Sequence, residues 1–148
     1  MCERGPENIV DTMNKIKTLN WPLVVGLGAL ALIRPLDRII EDQAEITHHP
    51  ATSVLITVGI SVAWILIVGL SRIREPLLTL VFTGLSYGVL SLLLSAVLSP
   101  ILIGHLDGPL ANPAGLVPAL AVNAIWGLLC GVLALGLQRI RHRDAVRS

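Results

Sequence analysis

Residues 77–103 read LLTLVFTGLSYGVLSLLLSAVLSPILI, 27 positions without one charged side chain. As a helix rising 1.5 Å per residue, this segment spans about 40 Å, more than the ~30 Å hydrocarbon core of a bilayer. A helix satisfies its own backbone hydrogen bonds, so it can cross lipid where no water is on hand to do so. Three further apolar runs lie around it, at about 21–40, 51–70 and 114–138. Together the four fill most of the 148 residues. Hydrophobic residues make up 53% of the chain and charged residues only 14%, against about 25% charged in an ordinary soluble domain. Mean hydropathy is +0.76. The expected fold is all-α and integral to the membrane: a four-transmembrane-helix bundle over residues 21–138.

The ends of the chain are polar. Residues 1–20 contain no apolar segment of the signal-peptide kind, so the first span is expected to act as an uncleaved insertion signal. Within that segment Ile9, Met13 and Ile16 share one helical face, with Asp11, Lys15 and Thr18 on others. This pattern predicts a short amphipathic helix lying in the membrane interface. Trp21 and Pro22 then open the first span; Trp suits the headgroup level and Pro the first turn of a helix. Residues 139–148 form a basic tail.

Lys and Arg sort to one side of the spans. Arg4, Lys15 and Lys17 precede the first, Arg72 and Arg74 join the second to the third, and Arg139, Arg141, Arg143 and Arg147 follow the fourth. Only Arg34 and Arg38 fall on the other side, accompanied by Asp37, Glu41, Asp42, Glu45 and Asp107. The positive-inside rule therefore places both termini in the cytoplasm. The excess of Arg over Lys points to a prokaryotic source, and so to a plasma (inner) membrane location. Beside a membrane, the Arg-rich tail reads as an orientation signal and an anionic-lipid contact. No nucleic-acid partner is expected.

The first span is irregular. Its uninterrupted apolar stretch, Trp21–Ile33, covers only about 20 Å, so the span must continue through Arg34, Pro35, Asp37 and Arg38 to reach Ile40. Pro35 should kink or end the helix. Arg34 stands three residues before Asp37, a spacing that allows them to pair. The expectation is that Arg34 snorkels to the headgroups. The functional alternative makes Arg34 and Asp37 part of a substrate or ion site, because an intramembrane charge often faces a cavity or partner.

Small residues mark the third and fourth spans. Gly84, Gly88, Ser91, Ser95 and Ser99 recur at steps of three or four, as do Asn123, Gly127, Gly131 and Ala134. Such stripes let helix backbones approach closely, so these two spans are expected to form the tightest pair. Asn123 is expected to hydrogen-bond a neighbouring helix; lining a substrate path is the alternative. On the outer side, Glu41, Glu45, His48 and His49 offer carboxylates and imidazoles at helical spacing, a donor set that would suit Zn²⁺ or another divalent cation. A solvated acidic loop explains them equally well, and no cofactor is expected. Cys2 and Cys130 lie too far apart in kind, one in a tail and one mid-span, to suggest a disulfide or a CxxC redox pair.

No Walker A loop, nucleophile elbow or dinucleotide fingerprint is present. The sequence thus points to a non-enzymatic structural or accessory component of a membrane assembly, with the lipid bilayer and a membrane-protein partner or a second copy of itself as its contacts. The competing expectation is a small oligomeric transporter or channel with its polar site near Arg34 and Asp37 or near Asn123.

Overall fold

A computed structural model describes residues 7–37, 50–102, 104 and 113–147, and among these the chain is helical with no strand. Helix α1 covers Glu7–Lys17 and α2 Trp21–Leu30; α3 is Pro50–Leu70, α4 Pro76–Leu102 and α5 Pro113–Arg147. Three of these contain stretches long and apolar enough to cross a membrane: Ala51–Leu70, Pro76–Ile101 and Ala114–Arg143. A fourth crossing is added if α1 and the helical stretch Trp21–Asp37, bent by 70° to each other, count as one broken span. The chain is therefore a helical protein with three to four candidate membrane-spanning helices.

That 70° bend turns α1 nearly across the direction of α2. Ile9, Val10 and Met13 are exposed on it, while Ile16 is half-buried. Lys15 reaches Asp11 at 3.9 Å on its own helix and Glu75 at 3.7 Å in the turn before α4. Both contacts lie at the surface, where an ion pair contributes ~1 kcal/mol or less.

Helix α2 is interrupted where Pro35 demands it. Pro35 has no N–H to give the Ala31 carbonyl one turn back. That carbonyl accepts from the Arg34 N–H at 3.1 Å instead, and Leu32 donates to Ala29 at 3.0 Å. These i→i−3 bonds tighten the chain over Ala31 and Leu32 before helix resumes at 33–37. The stretch Trp21–Asp37 is thus two helical pieces, not one rod.

The register of contacts fixes the helix directions. Trp21 meets Phe82, with ring centroids 5.7 Å apart, and Gly28 abuts Ser86 and Tyr87, so α2 and α4 run the same way. Ser61 bonds Trp126 and Gly69 abuts Leu137, so α3 and α5 also run the same way. Gly88 opposite Asn123 and Gly131 opposite Leu77 make α4 and α5 antiparallel. The four helices therefore alternate up, down, up, down. In space the order is α2, α4, α5, α3, with α4 and α5 sharing the most extensive contact and α3 touching α4 less.

Close approach of α4 to α5 depends on glycine. A methyl group on Gly84 would overlap the Asn123 carbonyl oxygen, and one on Gly127 would overlap the Leu80 carbonyl oxygen. Side chains of any size at these two positions would hold the backbones apart. Elsewhere the buried side is made by larger residues. On α3, Ile60, Trp64 and Val68 repeat every four residues and are buried, while Val54, Leu55, Val58, Val62 and Leu66 are exposed. Helix α5 continues well past the apolar run, to Arg147, so residues the sequence placed in a basic tail are helical. Nothing in Gln138–Arg147 breaks a helix, since it contains neither Gly nor Pro.

Candidate functional site

Two groups of side chains bring polar chemistry together, one mid-bundle and one at the basic end. The first is built around Trp64, whose side chain is fully buried. Its indole N–H donates to the Leu27 carbonyl of α2 at 3.0 Å, next to the weakened end of that helix. Its ring lies 4.8 Å from that of Trp126, which meets Tyr87 edge-on at 5.9 Å. Trp126 in turn donates its indole N–H to the Ser61 hydroxyl at 3.0 Å, and Ser61 donates to the Thr57 carbonyl at 2.8 Å. Cys130 is buried one turn beyond Trp126. Helices α2, α3, α4 and α5 all contribute to this node, and aromatic rings fill its centre.

Other polar groups in the spans bond back to their own helices. Thr79 donates to the Glu75 carbonyl and Thr83 to the Thr79 carbonyl, each at 2.8 Å. Ser91 donates to the Gly88 carbonyl at 2.9 Å, and the Ser95 and Ser99 hydroxyls lie 3.4 Å apart. This local bonding lets a hydroxyl sit among apolar side chains without a distant partner. Among the described residues, no buried side-chain nitrogen or oxygen lacks a hydrogen bond.

Asn123 follows the same pattern. Its amide donates to the Ala119 carbonyl one turn back at 2.9 Å, while its Cβ and amide nitrogen lie against Gly88 of α4. The polar group the sequence assigned to an interhelical bond is spent within α5, and its bulk fits the gap that Gly88 leaves. Arg34 and Asp37 stand half-buried at the opposite end of the bundle from the basic residues. No ion pair joins them among the described residues. Arg34→Lys is accordingly expected to change stability by no more than about 0.5 kcal/mol, since no ion pair among the described residues is lost and a lysine stem also reaches the interface. Thermal unfolding and expression level of the variant check this. Glu41, Glu45, His48 and His49 lie outside the described residues, as do His105 and Asp107. Among the described residues no three of His, Cys, Asp and Glu converge on a common point.

The second group was not singled out from the sequence. The Gln138 side-chain amide nitrogen lies 3.0 Å from the Val68 and Ser71 carbonyl oxygens and 3.3 Å from that of Ile73. Arg141, one turn on, donates to the Leu70 carbonyl at 2.8 Å. Val68 and Leu70 hold carbonyls of the last turn of α3, which no backbone N–H of that helix can satisfy, and Ser71 and Ile73 lie in the turn that follows. Gln138 and Arg141 therefore cap α3 from a neighbouring helix. The available signal was their spacing of three, which puts both on one face just where the apolar run ends. Gln138→Leu should leave these carbonyls short of donors, at a cost of about 1–3 kcal/mol, read as a lowered unfolding temperature in detergent.

Beside this cap opens a cleft of about 540 Å³. Arg72 and Arg74 come to it from the α3–α4 turn, and Arg141 and His142 from α5; Gly69, Ser71, Ile73, Gln138 and Ala145 complete the lining. Among the described residues its lining contains no carboxylate. Chemically it is a concentration of guanidinium donors, which suits a planar or tetrahedral oxyanion.

The fold and its two polar groups define a helical protein built for a membrane. Compared with known proteins, the chain matches no family model, no curated protein and no solved structure.

Proposed function

We propose that this protein is a non-enzymatic structural or accessory component of a membrane assembly. It sits as a four-span bundle in the plasma (inner) membrane of a prokaryotic cell, with both termini cytoplasmic and α1 in the interface. One observation carries the functional reading. The middle of the bundle is packed with aromatic rings, and its polar side chains are hydrogen-bonded within it. A conduction path would need polar groups facing an opening at this level. Alternation of the four helix directions supports four crossings, and the grouping of Arg and Lys supports the orientation.

Reconstitution into liposomes tests the reading. Ion and small-solute leakage should match that of protein-free liposomes, while cross-linking in intact membranes should trap the chain in one defined larger species. Flux above the protein-free level that is lost on Arg34→Ala or Asn123→Ala would overturn the proposal in favour of a transporter.

A further inference from the structure

We propose that the cleft at the basic end of the bundle binds the phosphate of an anionic phospholipid headgroup. The basic side chains of the site come from two separate parts of the chain. Arg72 and Arg74 lie in the α3–α4 turn, and Arg141 and His142 on α5. Folding brings them around one space. Like charges would spread apart unless held, and here they are held. Arg141 is bonded to the Leu70 carbonyl, and Gln138 fixes the turn that carries Arg72 and Arg74 through Ser71 and Ile73.

The same bonds make the floor compatible with an anion. A helix C-terminus carries partial negative charge, and its free carbonyls would repel phosphate. At α3 the Val68, Leu70 and Ser71 carbonyls are covered by the donors of Gln138 and Arg141. Glu75, the acid next to Arg74, lies 3.7 Å from Lys15 of α1 and does not line the cleft. Among the described residues, the charged side chains lining the cleft are Arg72, Arg74 and Arg141. A guanidinium presents five N–H donors, and among the described residues Arg141 gives one of them to Leu70, so its fork has further donors to offer phosphate oxygens.

Position favours a lipid over a dissolved phosphate. Leu70 and Ile140, beside the cleft in sequence, are 52% and 61% exposed, apolar surface suited to acyl chains. The arginines begin directly beyond them. A lipid at this level keeps its tails against the apolar helices while its phosphate enters among the guanidinium groups. The volume, about 540 Å³, falls within the usual range for a small-molecule pocket.

Native mass spectrometry of the full chain in detergent micelles, titrated with dioleoylphosphatidylglycerol, tests the site. Wild type should bind one such lipid in clear preference to dioleoylphosphatidylcholine. The double variant Arg72→Gln/Arg74→Gln should bind it about tenfold or more weakly. Both residues are exposed, so the variant should fold, which its unfolding temperature verifies. Arg139→Gln/Arg143→Gln removes the same charge outside the cleft lining and should weaken binding by only about twofold. Equal weakening by both pairs would reduce the effect to diffuse charge and overturn the site. Equal binding of the phosphatidylcholine would also overturn it. Displacement of the lipid by millimolar inorganic phosphate would overturn the lipid assignment and give the cleft to a soluble anion.

Discussion

Gly84→Ile and Gly127→Ile are each expected to destabilise the bundle by about 3 kcal/mol, the upper part of the usual range for overpacking. Even the first carbon of the new side chain would overlap a backbone carbonyl of the facing helix, Asn123 at one position and Leu80 at the other. A backbone carbonyl cannot swing aside as a side chain can, so α4 and α5 must separate along their most extensive contact. Gly→Ala at these two positions should already show most of the loss. Gly59 and Gly136 supply the control, because an added carbon there meets nothing within 4 Å. At those two, Gly→Ala should be neutral or stabilising by up to ~1 kcal/mol, since alanine is the better helix former. Unfolding temperatures of the four alanine variants in one detergent decide the matter. Equal behaviour of Gly84 and Gly59 would mean that α4 and α5 do not meet as described.

Trp64→Ala should be equally severe, at about 3–5 kcal/mol, the range for removing a large buried aromatic. Trp64 is wholly buried, stacks on Trp126 at 4.8 Å and ties α3 to α2 through the Leu27 carbonyl. Truncation removes all three contributions at once and leaves a void among four helices. Trp64→Phe keeps most of the ring packing and loses the N–H donor, so it should cost only about 1 kcal/mol. The Leu27 carbonyl would still accept from the Ala31 N–H at 3.4 Å. Trp64→Ala should also flatten the near-ultraviolet circular dichroism, because the Trp126 and Tyr87 rings would lose their fixed neighbour. A change below about 1 kcal/mol for the alanine variant would contradict the packing described.

Some of this architecture is legible in the sequence and some is not, for definable reasons. The apolar runs show because water and lipid differ so strongly as solvents for charge. A kink near Pro35 is legible because proline lacks a donor, although the break itself lies upstream, at Ala31 and Leu32. The Gly84 and Gly127 stripes show because small residues are the means by which membrane helices come close. The order α2, α4, α5, α3 is hidden. Lipid and bundle interior are both apolar, so Val54 facing outward and Val68 facing inward leave no contrast in hydrophobic periodicity. The role of Gln138 is hidden for another reason. It caps carbonyls about 65 to 70 positions away in sequence, and nothing local to Gln138 names those partners. The basic cleft is likewise a meeting of two segments, each of which alone reads as an orientation signal.

The proposed arrangement has four crossings, which return both ends of the chain to the cytoplasm. Single cysteines at Lys17, Asn112 and Arg143, placed in a chain whose Cys2 and Cys130 are replaced by alanine, measure this directly. A membrane-impermeant thiol reagent applied to intact cells should label Asn112→Cys, and should label Lys17→Cys and Arg143→Cys only after permeabilisation. Labelling of Lys17→Cys in intact cells, with Arg143→Cys still shielded, would mean three crossings and would contradict the four-span bundle.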